Sequence, residues 1–255
     1  MNIPIVLAHG FLGMGDVQVG PARFSYFHRI DAALAARGHP VIAARVHPTG
    51  SIDRRARQLA EAIDARLRRF GRQRDRVLIF AHSMGGLDAR HLVSTLGFAD
   101  RVAALVTFST PHRGSPFADW CLHHLGSRLG AARALAALRL DFSAVADLTT
   151  VAARRFNEAT PDHPQVRYFS VTAARPWNRL PLFLVPSHRV IRRAEGDNDG
   201  LVSVRSGTWG THLGTWPVDH LQMINKRLVP RAEWSGADVV RAYLDVLDRV
   251  VANRS

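Results

Sequence analysis

An α/β fold with a mostly parallel central sheet and helices on both faces is predicted by three observations. Short apolar, β-branched runs alternate along the chain with stretches of helical period, the rhythm of strands joined by crossover helices. One such run, Val77-Leu78-Ile79-Phe80, passes through Ala81-His82-Ser83-Met84-Gly85 straight into the helix-compatible stretch Gly86-Leu87-Asp88-Ala89-Arg90-His91-Leu92-Val93. The 255 residues, 47% of them hydrophobic, are enough for one sizeable core, so residues 1–255 are expected to form a single domain.

Taken in order, residues 5–8 are wholly apolar and form the first expected strand, and residues 26–37 the first helix. Residues 41–46, with Val41, Ile42 and Val46, give the second strand. Over residues 52–70, Ile52, Leu59, Ile63, Leu67 and Phe70 fall at helical spacing between arginines, so this helix should bury an apolar stripe and wet its arginines. Residues 77–81 form a strand, 86–96 a helix, and 102–109 and 166–171 two further strands. Between the last two, over residues 115–160, helical segments follow one another. Leu122, Leu125 and Leu129 lie on one stripe, and Leu135, Leu138, Phe142 and Val145 on another. A helical cap or lid insertion is expected there, although ordinary core packing produces the same amphipathic pattern.

Lys and Arg number 34 against 21 Asp and Glu, a formal net charge of +13. Lys226 is the only lysine, and the arginines are spread along the chain without interleaved aromatic residues. A weak association with lipid surfaces fits that distribution; specific nucleic-acid binding does not. The single cysteine, Cys121, excludes an internal disulfide, and no Cys/His spacing matches a metal site. No apolar stretch approaches the roughly 18 residues that span a bilayer. The first residues carry no basic leader, so a cytoplasmic protein, or a mature form lacking its signal peptide, is expected.

The chemistry-bearing segment is the strand-to-helix turn at Ser83. A hydroxyl is a poor nucleophile in water; it becomes effective on a sharp turn where a histidine takes its proton and backbone N–H groups face the developing oxyanion. Small residues two before and two after the serine permit the turn, and Ala81 stands where glycine is common. An acid and then a histidine should follow downstream. Glu195-Gly196-Asp197-Asn198-Asp199-Gly200-Leu201-Val202 supplies Asp199 and its rival Asp197. His220 follows in Val218-Asp219-His220-Leu221-Gln222, with His212 as the competing imidazole.

Five blocks resemble the bacterial triacylglycerol lipases and esterases of the α/β-hydrolase superfamily. They are Val6-Leu7-Ala8-His9-Gly10-Phe11-Leu12-Gly13, the turn at Ser83, Ser109-Thr110-Pro111-His112-Arg113-Gly114-Ser115, Asn198-Asp199-Gly200-Leu201-Val202 and His220-Leu221, and they run in that family's order. The resemblance implies an α/β-hydrolase fold with Ser83 as nucleophile, His220 as general base and then acid, and Asp199 orienting the imidazole. It places the oxyanion hole at the backbone N–H groups of Phe11 and Met84, with His9, Gly10, His82 and Gly85 in support. The implied activity is a serine carboxyl-ester hydrolase acting on a lipid or small-molecule ester through an acyl-enzyme, without a cofactor. A polyester depolymerase or an acyltransferase would use the same triad. From another class, a non-catalytic basic binding module on a hydrolase scaffold would bind its partner in a salt-sensitive way. Calcium-dependent relatives place an aspartate ligand two residues after the catalytic histidine, where this chain has Gln222, and Lys226 occupies a later ligand position. No calcium site is therefore expected.

Overall fold

The computed structural model describes residues 2–13, 17–19, 22–126, 143–229 and 233–252. The expected stripe residues Leu129, Leu135, Leu138 and Phe142 lie outside the described residues. Strand β1 (Ile5–Ala8) is followed by a separate antiparallel pair, β2 (Val17–Val19) and β3 (Ala22–Phe24), and by helix α1 (Ile30–Ala36). Strand β4 (Val41–Ala43), helix α2 (Ile52–Arg69), strand β5 (Val77–His82), helix α3 (Gly85–Ser94) and strand β6 (Val102–Phe108) come next. Among the described residues, helices α4 (Pro116–Gly126), α5 (Ser143–Asp147) and α6 (Thr150–Ala159) then precede strand β7 (Arg167–Ala173). Helices α7 (Val185–Glu195) and α8 (Val204–Gly207), strand β8 (Thr211–Trp216) and helix α9 (Gly236–Ala252) complete the described chain.

Six strands pair in the order β4-β1-β5-β6-β7-β8, every pair parallel. Because side chains alternate across a strand, Ile5, Leu7, Leu78 and Phe80 enter one core layer and Val6, Ala8, Ile79 and Ala81 the other. The first layer is covered by α1 and α9 through Ile30, Leu34, Val239, Tyr243, Leu247 and Val250. The second is covered by α2 and α3 through Leu59, Ile63, Leu67, Ala89, Leu92 and Val93. Burial on both faces is why the strand sequences are continuous apolar runs. It also leaves only the strand ends for chemistry, and every functional loop described below leaves a carboxyl end.

Several expected bounds change, for local reasons. The strand expected over 41–46 ends at Ala43, because the Val46 N–H turns away from the sheet to His9 Nε2, at 3.3 Å. The helix expected over 26–37 begins only at Ile30, after Arg29 at φ 64°. Tyr26 and Phe27 instead point inward, Phe27 into the core and Tyr26 toward the carboxyl ends of the strands. The arginines of α2 do not all form a wet face. Arg55 is fully buried, its Nε donating to Asp88 Oδ2 at 2.8 Å and its two Nη atoms to the carbonyls of His47 and His9, each at 2.7 Å. Phe70, expected on the buried stripe, is 38% exposed just beyond the end of α2.

Candidate active site

Ser83 sits between β5 and α3 at φ 55°, a left-handed backbone that L-residues rarely adopt outside functional turns. The turn is fastened from both sides. The Ser83 N–H donates to the Phe108 carbonyl at 2.9 Å, and Thr110 Oγ1 donates to the Ser83 carbonyl at 2.7 Å. Gly10 lies directly against the serine: a Cβ at Gly10 would stand 2.7 Å from Ser83 Cβ and 3.2 Å from its Oγ. Only glycine lets the loop after β1 come this close. At Gly85 a Cβ would stand 2.6 Å from the Ala8 carbonyl oxygen, so a small residue two after the serine is what allows α3 to start against β1.

Asp199 and His220 meet in the same region. Asp199 is buried, and its Oδ1 accepts the N–H groups of Leu201 and Val202 at 2.9 and 2.8 Å. That clamp aims Oδ2 at His220 Nδ1, 2.8 Å away, while the His220 N–H donates to the Asp199 carbonyl at 3.0 Å. A carboxylate can only accept, so Nδ1 carries the proton and Nε2 is the acceptor nitrogen. Ser83 and His220 line one cavity of about 500 Å³. Its other walls are mostly apolar: Phe11 and Leu12 from the first loop, Phe117, Ala118 and Cys121 from α4, Val145 from α5, and Phe183 and Leu184 before α7. Asp197 points elsewhere, exposed and paired with Arg192 on α7. His212 donates to, or accepts from, Thr172 Oγ1 at 3.0 Å on the β8 edge.

The loop after β1 is aimed by His9. Its Nε2 accepts the Val46 N–H, so Nδ1 bears the hydrogen and donates to the Gly10 carbonyl at 2.9 Å. In a trans peptide the C=O and the following N–H point in opposite directions, so holding the Gly10 oxygen fixes the direction of the Phe11 N–H. Among the described residues neither the Phe11 nor the Met84 N–H donates to a protein carbonyl. Burial pushes the His9 imidazole down to about 4. Its neutral form is therefore favoured by folding, and the stability it confers is complete above an unfolded value near 6.5 and is lost as pH falls toward 4. His9 should contribute about 3 kcal/mol to the decline in urea-unfolding free energy across that window, read as the difference in pH dependence between the wild type and His9→Asn. A stability independent of pH over the same range would contradict this account.

Tyr26, which the sequence did not single out, joins the two loops. The Gly10 N–H donates to Tyr26 Oη at 3.2 Å, Tyr26 Oη lies 2.9 Å from His82 Nδ1, and His82 Nε2 lies 3.1 Å from the His220 carbonyl. The carbonyl must accept, so His82 Nε2 donates, His82 Nδ1 accepts, and the Tyr26 hydroxyl donates to it. Burial and the nearby His220 hold His82 neutral, well below the ordinary histidine value, and burial raises Tyr26 to about 12. The two histidine rings are 4.5 Å apart, so a neutral His82 spares a protonated His220 a like-charge neighbour.

Arg175 fixes the far side of the histidine loop. Its Nη1 donates to Asp219 Oδ2 and Gln222 Oε1, each at 2.9 Å, and its N–H to the Asn198 carbonyl at 3.0 Å. The oxygens around Gln222 do not fit calcium, because a guanidinium already faces them. Among the described residues no group of three or more His, Cys, Asp or Glu could hold a metal ion.

The chain is similar to several known proteins. A family model described as a PGAP1-like alpha/beta domain matches residues 46–155. Triacylglycerol lipase 2 of Saccharomyces cerevisiae is 33% identical over 239 residues, covering 88% of this chain and 72% of the yeast protein. A triacylglycerol lipase of Vibrio cholerae is 29% identical over 259 residues, covering 87% and 79% respectively. Among solved structures, Staphylococcus hyicus lipase superposes with a TM-score of 0.76 at 18% identity, over 99% of this chain and 97% of that one. The mature Bacillus licheniformis lipase gives 0.73 at 21%, over 96% and 92%. These two structures share the fold.

Proposed function

The chain belongs to the lipase and esterase family of the α/β-hydrolase superfamily and is a carboxylic ester hydrolase, and on that premise we propose that it cleaves lipid esters with Ser83, His220 and Asp199. The observation that carries the assignment is the 2.8 Å bond from His220 Nδ1 to Asp199 Oδ2 in a cavity that His220 shares with Ser83. His220 Nε2 takes the Ser83 hydroxyl proton as Oγ attacks the ester carbonyl, and the oxyanion of the tetrahedral intermediate receives the N–H groups of Phe11 and Met84. Each such donor contributes about 10² to 10³ in turnover. The imidazolium, held by the Asp199 carboxylate, returns its proton to the leaving alcohol. Water, deprotonated by the same nitrogen, then releases the acid from the acyl-enzyme.

Helices α4 and α5 serve as part of a cap, which their side chains Phe117, Cys121 and Val145 on the cavity wall support. Exposed Leu12 and Phe183 on the same wall support contact with aggregated lipid. Turnover of p-nitrophenyl esters of rising chain length tests the assignment. Hydrolysis extending to long, insoluble acyl chains is the expected result, and activity confined to acetate and butyrate would restrict the enzyme to small soluble esters.

A further inference from the structure

Lys226, the only lysine of the chain, stands in the lining of two adjoining depressions. One is the cavity of Ser83 and His220. The other is a groove of about 660 Å³ whose lining includes Ser25, His28, Arg29, Asn225 and Arg227 and, among the described residues, contains no acidic one. Its two sides are tied together, because Asn225 Nδ2 donates to the His28 carbonyl at 2.9 Å. Among the described residues no carboxylate pairs with Lys226, His28 or Arg29. The Lys226 side chain is exposed overall, its ammonium rests 5.1 Å from the centroid of the Tyr26 ring, and desolvation lowers its pKa from the ordinary lysine value. Tyr26 is the residue whose hydroxyl holds the Gly10 N–H, so this cation lies beside the nucleophile's own surroundings.

A cation that no carboxylate of the described residues pairs favours an incoming anion, and several cationic side chains around one groove suit a group with several acceptor oxygens and close to two charges. We propose that the groove receives a phosphate group carried on the alcohol part of the ester substrate, with Lys226 shared between this headgroup subsite and the catalytic cavity. The inference rests on the ester-hydrolase reading and adds a substrate class to it: phosphate-bearing acylglycerols in preference to neutral ones.

The test compares 1,2-dioctanoylglycerol with its 3-phosphate in the same neutral detergent micelles, for the wild type, Lys226→Met, Lys226→Arg and Arg29→Gln. Wild-type kcat/KM should favour the phosphate ester by about tenfold, as one charge-assisted contact allows, chiefly through KM. Lys226→Met should bring the ratio near one, Lys226→Arg should keep most of it, and Arg29→Gln should lower it a few-fold. Inorganic phosphate should compete with the phosphate ester, and less so in Lys226→Met. A wild-type ratio of one or less, or a ratio unchanged in Lys226→Met, would overturn the proposal. If inorganic phosphate slows both esters equally and the ratio is one, the groove binds free phosphate and the headgroup assignment falls. Wild-type hydrolysis of p-nitrophenyl esters but of neither glycerolipid would refute this inference alone, whereas no hydrolysis of any ester would remove the ester-hydrolase reading with it.

Discussion

Ser83→Ala is expected to lower ester turnover by about 10⁶ in kcat, the loss that accompanies removal of a serine nucleophile acting with a histidine base. Covalent labelling by a fluorophosphonate should vanish with it. The fold should survive, because the backbone contacts that hold the turn, Ser83 N–H to Phe108 and Thr110 Oγ1 to the Ser83 carbonyl, do not use the hydroxyl. Alanine is no worse suited than serine to a φ of 55°. An unchanged urea midpoint beside lost labelling would separate chemistry from stability. Labelling retained in the variant would place the nucleophile elsewhere.

The second large effect is expected at Asp199. With asparagine there, the group facing His220 Nδ1 can become an amide N–H donor, which stabilises the tautomer with its hydrogen on Nε2, the wrong one for taking the Ser83 proton. A loss of about 10⁴ in kcat follows from such a reversal. Asp197→Asn should stay within a few-fold of the wild type, since Asp197 is exposed and pairs with Arg192. Steady-state kinetics on one soluble ester ranks the two variants. The opposite ranking would assign the acid to Asp197.

The buried strands were legible because burial on both faces forces continuous apolar runs, and those expected at 5–8, 77–81, 102–109 and 166–171 differ from the strands formed by two residues at most at either end. Strand β8 was not: Thr211-His212-Leu213-Gly214-Thr215-Trp216 lies at the sheet edge, has only Trp216 buried, and carries no such run. Helix α9 was absent from the expectation although Val239, Tyr243, Val246, Leu247 and Val250 have helical spacing; that signal was available. At the candidate site, the order of Ser83, Asp199 and His220 could be read from the chain, and the structure brings Asp199 and His220 to 2.8 Å. The residues that hold them could not be read in this way. Arg55 looks like its neighbours Arg54 and Arg57 until Asp88, 33 residues away, is brought to it. Tyr26 and Arg175 acquire roles only through partners 56 and 44 residues distant. Sequence order carries the proposed reacting groups, whereas their supports are defined by tertiary contact alone.

The run of hydrogen bonds from the Gly10 amide through Tyr26 and His82 to the His220 carbonyl has a single polarity. A backbone amide can only give and a backbone carbonyl can only receive, so both ends are immutable, and no member can reverse without leaving a buried group unmatched. The oxyanion loop and the histidine loop thus share one fate: they are correctly set together or disarranged together. The catalytic apparatus should accordingly behave as a single cooperative unit, switching off at one threshold of temperature or denaturant and having no half-assembled form.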